Sequence, residues 1–457
     1  MEHYDGIFIG GGPGGYEAAL YARRFGKNVA IVEKSLLGGT CLHWGCIPTK
    51  TLLASAKKYL IAQLQEKYGL PKFESPMPFD WNIINSRRKK VIEDNTRGLE
   101  RLIQSKDISV HYGEGSFVDD HTISVKPKNA KPYSISGDKI FIATGSYPVP
   151  VPGTDWHDDW MIPGEDCLAW EKLPEEILIV GAGVMGCEFA CTFAPFGVKV
   201  HIVEVLDNTL PSEDIEVSKT IRRELKKLGV NLYLGKKLQS FSKSGTKVVA
   251  TIENTGDIEV DHVLLCAGRR GIVKSLNLDV ASVALDDHGS IAVDKHLKTN
   301  IDHIYAFGDV SGPPLLAHSA SYEGKIAACH AFTGKGEKDL KAIPAGIFTI
   351  PEVGRVGLTE KQCIDMGINY RYKISHYRQV GRSHADGDTS GFAKIIVDDK
   401  DKIIGSHIVG DQAAEIVHLL ALAVSMGLTS RQLEDSMIFS HPTLTEVIWE
   451  ALKELNA

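Results

Sequence analysis

The hydrophobic pattern of the chain opens with short apolar strands separated by helical stretches. Residues 6–9 and 28–32 are apolar runs of strand length, and residues 16–25 between them have helical periodicity. The same order of strand, helix and strand recurs between residues 177 and 203. Strands that alternate with helices predict βαβ units, so the fold class is α/β with parallel sheets.

The rest of the chain divides less evenly. Further helices are predicted at 50–68, 81–105, 215–228 and 413–426, with a last one at the C-terminus, and further strands at 110–117, 139–146, 261–269, 345–354, 392–397 and 403–409. Prolines at 71, 76 and 78 predict a loop over 71–80, and prolines at 148, 150 and 152 mark a crossover between domains. We therefore predict domains at 1–147, 148–270, 271–341 and 342–457.

Each of the two βαβ units carries a glycine-rich turn. Gly10, Gly12 and Gly15 satisfy GxGxxG in the first unit, and residues 181–186 satisfy it in the second. The first glycine permits a tight turn, the second lets a pyrophosphate approach the backbone, and the third lets the helix pack on the strand. An acidic residue follows the first glycine by 23 positions in both units, at Glu33 and at Glu204. Two Rossmann-like domains that bind two dinucleotides are therefore predicted.

Two cysteines lie five positions apart in the segment 38–50, directly after the first unit. A distorted helical turn could bring Cys41 and Cys46 within bonding range, and a helix N-terminus would favour a redox-active thiolate. Buried cysteines are often simply part of a core, however, so two unrelated thiols are an equally good interpretation of this spacing alone.

Composition excludes several classes of protein. The formal net charge of -7 gives no basic surface for nucleic acid, and no apolar run approaches the length of a membrane span. The N-terminus has neither a basic nor an apolar leader segment, so a secretory signal is not expected. Eight cysteines in 457 residues do not form a disulfide framework. A reducing cytoplasm with one catalytic disulfide fits this cysteine usage.

Read whole, the segment 38–50 resembles the active-site segment of the pyridine nucleotide-disulfide oxidoreductases, and the resemblance extends from residue 6 to about 452. It implies FAD in the first dinucleotide domain, a nicotinamide nucleotide in the second, and a central domain that completes the FAD site. A C-terminal α+β interface domain and a homodimer are also implied. No metal is assigned.

The resemblance also implies roles for the redox residues. Cys46 would be the sulfur beside the flavin, able to form a charge-transfer thiolate, and Cys41 would form the mixed disulfide with substrate. Lys50 would lie beside the flavin N5 atom, and Glu188 near the nicotinamide and Lys50.

The segment 440–446 resembles the family motif His-Pro-Thr-x-x-Glu. It implies that His441 is the base for the thiol protons and that Glu446 orients its ring. In the family this histidine arrives from the other subunit.

Further cofactor contacts follow from the same resemblance. Those implied for FAD are Gly10, Gly12, Pro13, Gly14, Gly15, Glu33, Gly39, Thr40, Lys50, Gly115, Ala143, Thr144, Gly145, Asp309, Leu316, Ala317 and His318. Those implied for the nicotinamide nucleotide are Gly181, Gly183, Val184, Met185, Gly186, Glu204, Ala267, Gly268 and Arg269. A carboxylate at 204 favours NAD, because it would repel the 2′-phosphate of NADP. The chain departs from the family at Arg270-Gly271-Ile272, where the loop geometry is not fixed by the resemblance.

Within the family the pattern is most similar to members that oxidise protein-bound dihydrolipoamide with NAD. The expected partner is a lipoyl-bearing carrier of a 2-oxo acid dehydrogenase or glycine cleavage complex. One alternative is an NAD(P)H-dependent reductase of another disulfide, and a second is a non-catalytic flavin-binding sensor. Retention of both cysteines together with His441 and Glu446 weighs against the sensor.

Overall fold

The structure is a computed structural model that describes residues 1–71, 77–151 and 160–457. Two of the prolines that predict the loop and the crossover, Pro76 and Pro152, lie outside these described residues. Residues 77–80, the described end of the predicted loop, have neither helical nor strand conformation.

Helices and strands alternate through most of the described chain. The α-helices are α1 (Pro13–Arg23), α2 (Gly39–His43), α3 (Cys46–Gln63), α4 (Trp81–Ser105), α5 (Val184–Phe193), α6 (Ile215–Lys227), α7 (Ala317–Thr333), α8 (Glu360–Asp365), α9 (Gly381–Asp386), α10 (Ala413–Met426), α11 (Ser430–Ser436) and α12 (Glu446–Asn456). The strands are β1 (Glu2–Ile9), β2 (Val29–Glu33), β3 (Ser109–Tyr112), β4 (Glu114–Phe117), β5 (Thr122–Lys126), β6 (Tyr133–Ile142), β7 (Ser146–Pro148), β8 (Met161–Pro163), β9 (Glu176–Val180), β10 (Lys199–Glu204), β11 (Asn231–Leu234), β12 (Leu238–Ser244), β13 (Lys247–Ile252), β14 (Gly256–Val260), β15 (His262–Leu265), β16 (Arg269–Gly271), β17 (Ile304–Ala306), β18 (Ala345–Ile347), β19 (Glu352–Gly357), β20 (Tyr370–His376), β21 (Phe392–Asp398) and β22 (Ile403–Gly410).

The chain forms two compact units. One consists of residues 1–51, 82–149 and 268–338, and the other of residues 52–81, 150–267 and 339–457. The division into four domains at 147, 270 and 341 stays a prediction.

The first unit is built on a sheet of order β3-β2-β1-β6-β5-β4, with β17 also paired to β6. The pairs β1–β2, β1–β6, β2–β3 and β6–β17 are parallel. Successive residues of β1 pack into different clusters, Ile7 and Ile9 on one side and Phe8 on the other. Because both faces of this sheet are covered, residues 6–9 of β1 and 29–32 of β2 at its centre are continuously apolar, as parallel strands commonly are.

The described residues of the second unit form three sheets. A parallel sheet of order β11-β10-β9-β15-β8 repeats the βαβ architecture, and β12-β13-β14 form a small antiparallel sheet. The C-terminal part is an antiparallel sheet of order β18-β19-β22-β21-β20, against which α10 and α12 pack. The predicted α/β class with an α+β C-terminal part is confirmed.

Several predicted boundaries were wrong in detail. The single strand predicted over 110–117 is two strands, β3 and β4, which pair with different neighbours on either side of Gly113. A Cβ at Gly113 would lie 2.8 Å from the Lys126 backbone, so the glycine permits the crossing between them. The strand predicted over 261–269 is likewise two strands, β15 and β16. Among the described residues, every helix is too short or too polar to cross a membrane.

Candidate active site

The first glycine-rich turn joins β1 to α1 through backbone that has no room for side chains. Gly10 has a φ of 110°, and a Cβ there would lie 2.2 Å from the carbonyl oxygen of Ala143. A Cβ on Gly15 would lie 1.9 Å from the oxygen of Gly10. The turn therefore brings the N-terminus of α1 against the end of β6, which is the cradle a pyrophosphate needs.

The second turn, between β9 and α5, repeats this geometry. Gly181 has a φ of 111°, and a Cβ there would lie 2.6 Å from the carbonyl oxygen of Cys266. A Cβ on Gly186 would lie 2.0 Å from the oxygen of Gly181. No described atom lies within 4 Å of a Cβ built on Gly183, the position that faces a phosphate in this type of turn. Both turns fit the phosphates of a dinucleotide.

The acidic residues that end β2 and β10 are equivalent as well. Glu33 and Glu204 are both buried. The Glu33 carboxylate accepts the backbone N–H groups of Gly11 and Ser35. The Glu204 carboxylate accepts those of Ala182 and Leu206, which occupy the same relative positions. These distances are 2.7 and 2.7 Å at Glu33, and 2.8 and 2.9 Å at Glu204. A carboxylate has about four acceptor sites, so both acids retain the capacity to accept ribose hydroxyls.

The segment after β6 is hydrogen-bonded to residues 269–272. The Thr144 hydroxyl donates to the carbonyl of Ile272 (2.7 Å), and the N–H of Ile272 donates to the carbonyl of Gly145 (3.0 Å). The antiparallel pair β7–β16 continues this contact. A Cβ on Gly271 would lie 3.1 Å from the Cα of Val310, so glycine lets β16 approach that segment. Of the three residues at which the chain departs from the family, Arg270 and Gly271 thus lie in the strand β16 and Ile272 directly follows it.

Asp309 is held by Ser146, which the sequence did not single out, and through it by Arg269. The Ser146 hydroxyl donates to the Asp309 carboxylate (2.5 Å), and Arg269 donates to the Ser146 hydroxyl (2.8 Å) and carbonyl (2.9 Å). The structure therefore places Arg269 in the first unit beside Asp309, whereas the sequence assigned it to the nicotinamide. The Ser146 hydroxyl thus occupies one oxygen of the Asp309 carboxylate, and the contacts of Asp309 with a ribityl hydroxyl and of Arg269 with the nicotinamide stay predictions.

Four other predicted FAD residues lie on, or directly before, defined elements. Leu316 is the N-cap of α7, and Ala317 and His318 are its first two residues, so all three lie at the positive end of the helix dipole. Gly115 lies in β4, where a Cβ would meet side chains of Val32 (3.0 Å) and Ile9 (3.1 Å). The close approach permitted by Gly115 is therefore between strands.

The two cysteines of segment 38–50 lie side by side. Cys41 is in the short helix α2 and Cys46 begins α3, and they approach each other to 2.8 Å as thiols. The hydrogen bond with Cys46 and burial raise the pKa of the Cys41 thiol above its ordinary range, while Lys50, one turn into α3, opposes that rise. Cys41 thus retains its proton when the pair is reduced, whereas Cys46 lies at the N-terminus of α3, a position where a helix dipole favours an anion.

Tyr16 is a neighbour of this pair that sequence reasoning missed. Burial, followed by Glu17 and Cys41, raises the pKa of the Tyr16 phenol to about 12. Tyr16 directly follows the glycines of the first turn, so its position in the motif was a usable signal. The hydroxyl stays protonated and can donate a hydrogen bond near Cys41.

The second unit holds the histidine and glutamate of segment 440–446. Nδ1 of His441 is 3.0 Å from the Glu446 carboxylate, whose other oxygen accepts the N–H of Thr443 at 2.7 Å. Burial opposes ionisation of Glu446, but the hydrogen bonds from His441 and Thr443 outweigh it and leave the pKa of Glu446 below its usual value. The His441 side chain is 75% exposed and the Glu446 side chain 10%. The ring is thus oriented through one nitrogen and presents the other outward.

Glu188 lies in α5 and is buried. Its carboxylate accepts the N–H of Phe348 at 2.9 Å, which joins the helix of the second βαβ unit to the C-terminal segment within the second unit. The structure thus gives Glu188 a structural contact in addition to the role that the resemblance implies.

Sequence profiles match nearly the whole chain. The profile described as pyridine nucleotide-disulphide oxidoreductase matches residues 4–324, and the profile of the dimerisation domain of the same family matches residues 343–452. The second match supports a homodimer.

Individual relatives cover the chain from end to end. The dihydrolipoyl dehydrogenase of Mycobacterium tuberculosis (strain ATCC 25618 / H37Rv) is 36% identical over 463 residues, which cover 100% of this chain and 98% of the relative. The dihydrolipoyl dehydrogenase of Chlorobaculum parvum is 35% identical and covers 98% of this chain and 96% of the relative. Among solved structures, LpdA from Mycobacterium tuberculosis superposes with a TM-score of 0.91 at 25% identity, with 100% of both chains covered. A Cu(II) complex of the HOCl-induced flavoprotein disulfide reductase RclA from Escherichia coli superposes with a TM-score of 0.89 at 28% identity, again over 100% of both chains.

Proposed function

The chain belongs to the pyridine nucleotide-disulphide oxidoreductase family, and from this membership we propose that it is a dihydrolipoyl dehydrogenase. It oxidises dihydrolipoamide to lipoamide and reduces NAD+ to NADH. The observation that carries the proposal is the pair Cys41 and Cys46, 2.8 Å apart at the N-terminus of α3 and directly after a dinucleotide-binding unit. When bound, FAD accepts the electron pair of the dithiol and NAD+ removes it as hydride.

The cysteines exchange disulfides with the substrate. A thiolate of dihydrolipoamide attacks the Cys41 sulfur of the closed disulfide, which forms a mixed disulfide and releases Cys46 as thiolate. The second substrate thiolate then attacks the substrate sulfur of the mixed disulfide, which closes the lipoyl ring and releases Cys41. The pKa of Cys41 is raised, so this sulfur takes up a proton as it leaves, whereas Cys46 is stabilised as the anion.

We assign removal of the substrate thiol proton to His441. Its Nδ1 is hydrogen-bonded to Glu446, so Nε2 is the nitrogen that receives the proton, and the carboxylate stabilises the resulting imidazolium. The exposure of His441 is consistent with its use by a second copy of the chain in the homodimer. Glu33 and Glu204 would hold the ribose hydroxyls of FAD and NAD, respectively.

We further propose that the substrate is carried on a lipoyl-bearing protein of a 2-oxo acid dehydrogenase or glycine cleavage complex, and that the enzyme works in the cytoplasm. The names of the relatives support the substrate class. The division at residues 341 and 342 is supported by the gap between the two family matches, 324 to 343.

A steady-state comparison tests the proposal. We expect the largest kcat/KM with dihydrolipoamide and NAD+ among dihydrolipoamide, glutathione disulfide and coenzyme A disulfide, each assayed with NAD(H) and NADP(H). The structural similarity to RclA, a flavoprotein disulfide reductase, makes reduction of another disulfide the second candidate. A larger kcat/KM for one of the other disulfides would replace the first function with the second.

A further inference from the structure

Sheet topology brings two distant histidines together in the first unit. His121 directly precedes β5, and His303 directly precedes β17. Both strands pair with β6 on the edge that β1 does not occupy, and both begin near its middle. The carbonyl of His121 accepts the N–H of Gly137 and the carbonyl of His303 accepts the N–H of Ile140, each at 3.0 Å. Hydrogen bonds to the backbone of β6 thus hold both His121 and His303 in place.

The imidazole rings of this pair are stacked. Their centroids are 3.8 Å apart and their planes differ by 3°. Nδ1 of His121 lies 2.8 Å from the Gly137 carbonyl, and Nε2 of His303 lies 2.9 Å from the Asp120 carbonyl. A carbonyl only accepts hydrogen bonds, so these two nitrogens carry the protons. The second nitrogen of each ring therefore has a lone pair available.

A carboxylate completes the cluster. One ligand atom from each of Asp120, His121 and His303 lies within 4.8 Å of the other two. Two imidazoles and a carboxylate are a ligand set suited to Zn²⁺. Histidines that bind metal usually donate their other ring N–H to a carbonyl or carboxylate, as both do here. Asp120 and His121 are exposed and His303 is partly exposed, so an ion can reach the site from solvent.

We propose that Asp120, His121 and His303 form a binding site for a divalent transition-metal ion of the zinc class, separate from the redox cysteines. The lone pairs of the stacked rings lie in parallel planes, so on binding the two rings would turn out of the stack to reach the 2.0–2.2 Å bonds that Zn²⁺ requires, with water in the fourth position. The metal would link the starts of β5 and β17, and β17 leads directly to the segment of Asp309. The site therefore stabilises the first unit and takes no part in electron transfer.

Calorimetric titration of the oxidised, FAD-loaded full-length protein with Zn²⁺ tests the site. Closure of the Cys41–Cys46 disulfide removes the competing thiolates. We expect one Zn²⁺ per chain and a rise in Tm on addition of the metal. His121→Ala and Asp120→Asn should each weaken binding by at least about tenfold, since loss of a supporting group alone costs 10–100-fold. His288→Ala, at an exposed histidine outside the cluster, is the matched control.

The variants also separate loss of the ligand from loss of the fold. Asp120→Asn keeps the backbone carbonyl that binds His303, so its Tm in chelator should equal that of the wild type while its Zn²⁺-dependent rise is lost. X-ray absorption of the bound Zn²⁺ should show nitrogen and oxygen ligands near 2.0–2.2 Å. Sulfur ligands near 2.3 Å, or unchanged Zn²⁺ affinity in His121→Ala, would overturn the proposal.

Discussion

The equivalent positions of Glu33 and Glu204 allow one substitution to be tested in both dinucleotide sites. In Glu204→Gln the side chain keeps its size but loses its charge and one of its two acceptor oxygens. That carboxylate accepts two backbone N–H groups, at 2.8 and 2.9 Å, and glutamine can satisfy only one of them. A buried donor that loses its partner costs about 1–3 kcal/mol, so unfolding should be easier by that amount.

The effect on coenzyme choice follows from the same charge. A hydrogen bond from the ribose to a carboxylate contributes about 1.5–3 kcal/mol, and 1.4 kcal/mol corresponds to a factor of ten. We expect kcat/KM for NAD+ to fall about 10- to 100-fold in Glu204→Gln. The carboxylate no longer repels a 2′-phosphate, so use of NADP+ should improve. The preference for NAD+ over NADP+ should therefore fall by at least about tenfold.

Glu33→Gln is the matched control, because its carboxylate accepts two N–H groups at 2.7 Å in the same geometry. It should reduce the FAD content of the purified protein and leave the ratio of NAD+ to NADP+ use unchanged. The measurements are steady-state kinetics with dihydrolipoamide, flavin absorbance per chain, and chemical denaturation. Two results would refute the assignment of Glu33 to FAD and Glu204 to NAD. One is loss of FAD from Glu204→Gln with full FAD in Glu33→Gln, and the other is an unchanged coenzyme preference in Glu204→Gln.

Three further predictions concern the thiols, the base and acid stability. Cys46→Ser should abolish the long-wavelength absorbance that appears when the holoenzyme is reduced by two electrons, whereas Cys41→Ser should retain a thiolate able to produce it; a band that survives Cys46→Ser contradicts the assignment. His441→Ala should slow flavin reduction by dihydrolipoamide ~10²–10⁴-fold and largely spare reduction by NADH, as measured by stopped flow; equal loss of both would make His441 structural. Glu446→Gln should slow the same half-reaction less than His441→Ala does, because the glutamine oxygen still accepts a hydrogen bond from Nδ1 but the imidazolium loses its counter-charge; an unchanged rate would contradict this role. Burial lowers the pKa of His407 from 6.5 to about 4, so between these pH values the unfolded chain binds more protons than the folded chain. The free energy of unfolding should therefore fall as pH decreases, by about 3 kcal/mol in total. His407→Gln should remove this pH dependence in denaturation measured from pH 7 to 4, and an unaltered pH dependence would show that other groups cause it.

Much of the candidate site could be predicted from local sequence. The glycine turns are sterically determined, because a side chain at Gly10 or Gly181 would collide with a carbonyl of a neighbouring strand. Glu33 and Glu204, 23 positions after these glycines, are the last residues of strands whose lengths the apolar pattern predicts. The contact between His441 and Glu446 is also local, since the two residues are five positions apart and Glu446 begins α12.

Other contacts depend on elements that are far apart in sequence. Lys394 is fully buried and binds Asp214 at 2.8 Å, across 180 residues, although Asp214 has an ordinary local role as the N-cap of α6. The chain of hydrogen bonds from Arg269 through Ser146 to Asp309 likewise needs β7, β16 and the segment after β17 to be in place. Nothing in the local pattern of these residues marks them as partners.

The sequence by itself determined the α/β class, the two glycine turns with their acids and the position of the cysteine pair, because short-range sterics and periodicity control these features. Tertiary structure decided which distant residues meet. It divided segment 110–117 into two strands, placed Arg269 beside Asp309, and brought His121 against His303 on one edge of β6. Strand pairing and register control these contacts, and they arise only when the whole sheet has formed.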